Sequence, residues 1–362
     1  MSSLRRVLSL AVVLPVTVLL LGAIVGVVGF EETLKQVGRA GVWPFVMVGA
    51  LTALFTLAQA GAWALLNRPI GHRVPFHTLV EATVVGQAGN IVTPSTYLGG
   101  EAFRVAYVGR LAGLPYHEVA GTVLLCKYLE LISFMLLFSF STVVAALEYR
   151  DVLFHAPNTA GGVAIVTFAG LFLVLCVVLW VALWRRWHPL TRLVSAFGRI
   201  RPLRLRVARL RPRVAAMEDQ VSRVFCEEGR TSLAAFGGMM LSHMAVFAKP
   251  LAFFLLGGHL RLSLGQLCLI FAAGQLLLSV QLTPSGVGML DGGLIGTFAL
   301  LGLNSAENAA MCMAYLLCLR LWDTVVIGLG AMLGARIGAH MLTAKSSPPP
   351  LVEPNAQEEP GQ

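Results

Sequence analysis

Charge is what this sequence has little of. Only 12% of its 362 residues are Asp, Glu, Lys or Arg, against about 25% in a soluble globular domain, while 57% are apolar and the mean hydropathy is +0.77. That balance argues against a water-soluble enzyme. Soluble chemistry is missing as motifs too: there is no P-loop, no G-x-S-x-G, no H-E-x-x-H and no Rossmann fingerprint. An enzyme is therefore not expected, and neither is a cofactor. The six cysteines, Cys126, Cys176, Cys226, Cys268, Cys312 and Cys318, are mostly embedded in apolar stretches without paired spacing, which argues against a disulfide framework and a metal site.

What is present in quantity is uncharged length. The runs 7–30, 40–67, 152–184, 231–248 and 262–290 reach or approach the roughly 20 residues that a spanning helix needs. The first follows Arg5 and Arg6 as a signal peptide would, but it holds 24 uncharged residues and no small-x-small cleavage site before Glu31, so it reads as an uncleaved first span.

The net charge of +9 is concentrated. Residues 185–213 contain ten arginines and no acid. The positive-inside rule puts them in the cytoplasm, and the apolar residues between them, flanked by Trp184 and Trp187, fit an interfacial segment lying on anionic lipid. Nucleic-acid binding would use the same charges, but beside a membrane span the lipid surface is the nearer partner, and no nucleic acid is expected.

Charge placement sets the topology. Arg5 and Arg6 hold the N-terminus inside, the second run returns to Arg68 and Arg73, and Arg104 and Arg110 bring the segment after Thr78 back to the same face. Residues 78–112 thus read as a re-entrant hairpin. A second hairpin, 262–303, enters from the outside, three crossings after the first. An odd number of crossings inverts it. The expected fold is an all-α polytopic membrane protein of about six full spans plus two re-entrant helical hairpins arranged as inverted repeats. Repeat 1 covers about 41–184 and repeat 2 about 231–335, joined by the Arg-rich segment 185–230. All belong to one membrane domain, 1–343, followed by a disordered Pro- and acid-rich tail, 344–362.

One polar constellation occurs twice inside this apolar frame. Thr93, Pro94 and Ser95 precede Gly99, Gly100 and Glu101; Thr283, Pro284 and Ser285 precede Gly286, Gly288 and Asp291, with the acid eight residues after the Thr in both. A duplicated Gly/Pro break in corresponding hydrophobic segments points to a transporter site at a repeat interface. Downstream, Lys127 precedes Glu130 and Arg320 precedes Asp323 by three residues, so each base and acid share a helix face. Each ionisable group costs about 2.5–3.5 kcal/mol near the bilayer centre, so something must compensate it. Two readings stand. The pairs are local locks between helices, or the cations attract a lipid phosphate while the acids hold them. Glu101 and Asp291 either cap the returning half-helices or act as gates or ligands. Gln87, Asn90, Gln275 and Gln281 add polar lining. His243 receives no role, and Lys249, near the outer interface, reads as a snorkelling lysine.

The stretch from Gln87 to Asn90 through Thr93-Pro94-Ser95, Gly99-Gly100-Glu101 and Arg104 to Lys127-Tyr128-Leu129-Glu130 resembles the lysylphosphatidylglycerol synthase transmembrane-region family, also called flippase-like membrane proteins. The segment 284–293 and Arg320-Leu321-Trp322-Asp323 carry the same resemblance, which covers about residues 5–340. It implies moving or presenting lipids. In the synthases the membrane domain is fused to a soluble aminoacyl-transfer domain, and none is recognisable after Leu342, so lysyl-lipid synthesis is not expected and the flippase-like half is. Stand-alone relatives linked to hopanoid or glycolipid pathways imply a phospholipid, hopanoid-type or polyprenyl-linked cargo. The expected setting is a bacterial inner membrane with both termini cytoplasmic. Rival expectations are a membrane-embedded lipid-modifying transferase, with Glu101 or Asp291 as base, and a non-transporting partner of a biosynthetic enzyme.

Overall fold

The computed structural model describes residues 37–71, 73–93, 99–151, 159–197, 204–257, 260–279, 288–303 and 305–346, together with Lys35 and Gly286. The expected first span 7–30, the tail beyond Ser346, and Pro94, Ser95, Gln281, Thr283, Pro284 and Ser285 lie outside them.

Among the described residues there is no strand. The helices are α1 (Trp43–Asn67), α2 (Phe76–Val92), α3 (Glu101–Leu111), α4 (Tyr116–Glu148), α5 (Thr159–Trp184), α6 (Pro189–Phe197), α7 (Arg204–Glu227), α8 (Gly229–Gly257), α9 (Leu264–Ser279), α10 (Met289–Leu300) and α11 (Ala306–Ser346). Their ends follow proline and glycine chemistry. Pro75 and Pro115 immediately precede α2 and α4 with extended ψ, while Gly71 and Gly113 take the left-handed conformation that breaks the chain between helices.

Five helices are long and apolar enough to cross a bilayer: α1, α4, α5 from Val166, α8, and α11 over Asn308–Arg336. The protein is an all-α polytopic membrane protein. The helices α2, α3, α9 and α10 have 17, 11, 16 and 12 residues. At 1.5 Å per residue they rise roughly 16–26 Å, short of the roughly 30 Å hydrocarbon core. Burial inverts the soluble pattern where lipid is the solvent: α5 exposes Leu171, Val174, Val177 and Val178, whereas α4 buries Leu125, Leu129 and Phe138. All six cysteines are free.

Helix packing is reciprocal between the two halves. The longest contact joins α1 to α8. α2 lies along α11 as α9 lies along α4; α2 pairs with α3 as α9 does with α10; α3 meets α4 as α10 meets α11. Every contact named survives exchange of α1–α4 with α8–α11. Close approach uses glycine where it is needed: a Cβ on Gly330 would strike Ala88, so α11 can lie on α2, and one on Gly49 would strike Trp322, whose indole N–H donates to the Phe45 carbonyl at 2.9 Å.

The Arg-rich segment forms α6 and α7. It is anchored to the bundle at its acid-bearing end: α7 packs on α4, α5 and α8 through Val221 and Val224, and buried Glu218 accepts the Thr191 backbone N–H at 2.8 Å, tying α6 down. Leu193 and Phe197 remain exposed on α6.

Candidate functional site

Among the described residues, each half brings a cation and two acids together. In the first, Lys127 on α4 lies 2.8 Å from Glu101 Oε1 at the start of α3 and 3.0 Å from Glu130 Oε2 one turn along its own helix. In the second, Arg320 on α11 donates from Nε and Nη2 to Asp291 at 2.9–3.1 Å and from Nη1 to Asp323 at 3.2 Å. The three-residue pairs form, and each cation also reaches across to the acid of its own hairpin. Asp291 serves two ends at once, because its Oδ2 also accepts the Gly288 N–H at 3.0 Å and caps α10. Gly288 can supply that N–H because it holds φ at +85°, and Gly286 turns at +61°.

The first hairpin is closed differently. Gly100 donates its N–H to Asn90 Oδ1 at 2.6 Å, and a Cβ there would strike the Gly86 carbonyl. Gly86 in turn makes room for the Arg104 side chain. Thr93 turns its hydroxyl back to the Gly89 carbonyl at 2.8 Å, and Gly99 lies in the bend before α3.

Between the halves lies a cavity of about 290 Å³. All eight reciprocal helices contribute to it. Its polar lining includes Gln59 (α1), Gln87 and Asn90 (α2), Arg104 (α3), Glu130 (α4), His243 and Lys249 (α8), Gln275 (α9) and Asp323 (α11). Its apolar lining gathers Ile270, Phe271, Leu278, Leu290, Leu294 and Leu319. Of the residues singled out in the sequence, Gln87, Asn90, Arg104, Glu130, Gln275 and Asp323 line the cavity. Glu101, Lys127, Asp291 and Arg320 stand behind it as ion pairs. Pro94, Ser95, Thr283, Pro284 and Ser285 lie outside the described residues.

Two ionisable lining residues received no binding role from sequence. Lys249, expected to snorkel, lies in the cavity wall beside Pro250 on α8. His243 is buried, with Nδ1 3.0 Å from both the Met239 carbonyl and Ser133 Oγ, while the Ser133 hydroxyl donates to the Glu130 carbonyl. The available signal was that both are ionisable residues within an apolar run. Among the described residues, no cluster of three His, Cys, Asp or Glu could hold a metal ion.

Fold and site define a class: a multi-pass helical membrane protein with a polar cavity between two similarly packed halves. Residues 6–328 match the family described as lysylphosphatidylglycerol synthase TM region, and the chain belongs to it. It is also similar to the UPF0104 membrane protein of Methanocaldococcus jannaschii, 23% identical over 124 residues, or 34% of this chain and 37% of that relative. The match thus spans little more than a third of that relative's length. No solved structure matches.

Proposed function

We propose that the protein moves a lipid or polyprenyl-linked amphiphile between the leaflets of a membrane, with the head group carried in the central cavity. The observation that carries this reading is the cavity itself, lined by corresponding helices of both halves and combining charged with apolar walls inside an otherwise apolar bundle. At about 290 Å³ it is close to the low end of the ~300–1,000 Å³ range of small-molecule pockets, so it suits a head group rather than a whole lipid. The family's name, taken from a lipid-modifying enzyme's membrane region, supports a lipid-related role. In this reading α2–α3 and α9–α10 are re-entrant arms of inverted repeats. Their short lengths and reciprocal packing support that arrangement, since non-helical backbone at membrane depth needs protein or a cavity to satisfy it. Rocking one half against the other would open the cavity to alternate leaflets. The Arg-rich α6 and α7 would rest on anionic lipid of the cytoplasmic leaflet of a bacterial inner membrane, with both termini on that side.

The test is reconstitution in liposomes with short-chain fluorescent lipids of several head groups, reading leaflet exchange with an impermeant quencher. Protein-dependent exchange of at least one amphiphile is expected. A new lipid species formed in the presence of a donor, without exchange, would instead identify a transferase. Inertness in both assays would leave a partner of another enzyme.

A further inference from the structure

The polar wall of the cavity holds two carboxylates, Glu130 and Asp323, and a group of donors on α2 and α3. Arg104 is only 4% exposed, and its guanidinium donates from Nη2 to Gln59 Oε1 at 2.8 Å. Its Nε, also buried, has no hydrogen-bond partner among the described residues, and Arg104 makes no ion pair there. The acids nearest in the chain are already engaged, since Glu101 and Glu130 both flank Lys127. Asn90 spends its carbonyl on the Gly100 backbone N–H at 2.6 Å, which fixes its amide so that the NH₂ is the group left for the cavity. Gln87, buried beside it, likewise has an amide nitrogen without a partner, its carbonyl oxygen facing the Thr56 hydroxyl at 3.0 Å. A buried N–H left unmade costs free energy, about 1–3 kcal/mol and more for a charged group, so the two orphaned donors of Arg104 and Gln87, on residues that line one cavity together with Asn90, call for an acceptor-rich ligand.

We propose that Arg104, Asn90 and Gln87 form an oxyanion receptor that takes the phosphate of the transported amphiphile's head group. An arginine with a free edge beside two amide NH₂ groups suits the several acceptor oxygens of a phosphate, and Lys249 offers a second cation from the facing wall. The receptor belongs to one half only. At the position of Arg104, three residues after the hairpin acid, the other half has Leu294, which lines the same cavity beside Leu290 and Leu278. An amphiphile would therefore lie with its phosphate toward α2 and α3 and its first methylenes toward α9 and α10.

This inference rests on the translocation reading but fails separately from it. The full-length protein in detergent is titrated with a short-chain phosphatidylglycerol, with a diacylglycerol of the same chains, and with inorganic phosphate, following tryptophan fluorescence and thermal shift. The phospholipid is expected to bind at least about tenfold more tightly than the diacylglycerol. Inorganic phosphate competing as well as the lipid would assign the receptor to the free anion; weaker competition assigns it to the lipid head group. Asn90→Asp, which keeps the acceptor for Gly100 and replaces the NH₂ by a carboxylate oxygen, should lose about tenfold in phospholipid affinity with little change in melting. Arg104→Lys keeps the charge while removing the guanidinium edge, and should also weaken binding. Equal binding of the diacylglycerol, no binding of either lipid, or unchanged affinity in both folded variants overturns the receptor. Leaflet exchange of a phosphate-free lipid would still uphold translocation, and binding of phosphate without exchange of any lipid would uphold the receptor alone.

Discussion

The two ion clusters use the same plan and differ in how far they are withdrawn from solvent. Lys127, Glu101 and Glu130 keep side-chain exposures of 15%, 17% and 10%, and α3 has no side-chain cap at its start. Arg320 and Asp291 are each 3% exposed, joined by three short hydrogen bonds, and Asp291 also caps α10. The second cluster therefore has the geometry of a lock, and the first that of an adjustable contact beside a cavity. The walls differ in one place: Arg104 of the first half is matched by Leu294 in the second. The two clusters share one pattern, and local burial distinguishes them.

The largest effect is expected at the tighter cluster. Arg320→Met strands Asp291 in low dielectric and should cost about 3–5 kcal/mol, whereas Lys127→Met leaves acids whose side chains are 17% and 10% exposed, though the Glu101 carboxylate oxygens are themselves buried, and should cost about 1.5–3 kcal/mol. Thermal unfolding in detergent checks the order, and equal losses would erase the distinction between the two halves.

Double variants sharpen it. If the three-residue pairs were self-contained, Arg320→Met with Asp323→Met would largely restore stability. Because Asp291 would remain buried and unpaired, that double should stay about 2–3 kcal/mol below the parent, while Arg320→Met with Asp291→Leu recovers more despite losing the cap. The reverse ranking in the same melting assay would mean that the cross-hairpin bonds carry little.

The hairpins give a smaller contrast. Gly100→Val drives a methyl into the Gly86 carbonyl and should cost about 1–3 kcal/mol and impair leaflet exchange. Gly170→Val, with nothing within 4 Å, should stay within about 0.5 kcal/mol. Equal tolerance would show that α2 and α3 need no close approach.

Least is expected at the rim. Arg186 and Glu227, each 56% exposed, form a 3.1 Å pair, and Arg186→Ala should change the melting free energy by no more than about 1 kcal/mol, less in high salt.

Much of the frame was legible because the bilayer imposes it. Long uncharged runs located α1, α5 and α8, whereas α4 and α11 each carry a base–acid pair that interrupts such a run. The Thr-Pro-Ser repeat and the two base–acid pairs announced corresponding parts of two halves. Lys249 was not legible in this way, since a lysine beside a proline in an apolar run reads equally well as snorkelling or as lining. Arg104 was visible only as one polar residue among several.

The sequence by itself determined that the chain crosses a membrane as helices, that polar groups recur at matched places in two halves, and that each base shares a helix face with an acid one turn on. Hydrophobic length and helical period are local properties, readable one segment at a time. Which acid a cation finally meets was decided only when α3 came against α4 and α10 against α11. The cavity, the pairing of Lys127 with Glu101 and of Arg320 with Asp291, and the buried, unpartnered Nε of Arg104 depend on distances across the bundle. Those distances are set by glycine contacts such as Gly86 with Arg104 and Gly330 with Ala88, and no spacing along the chain records them.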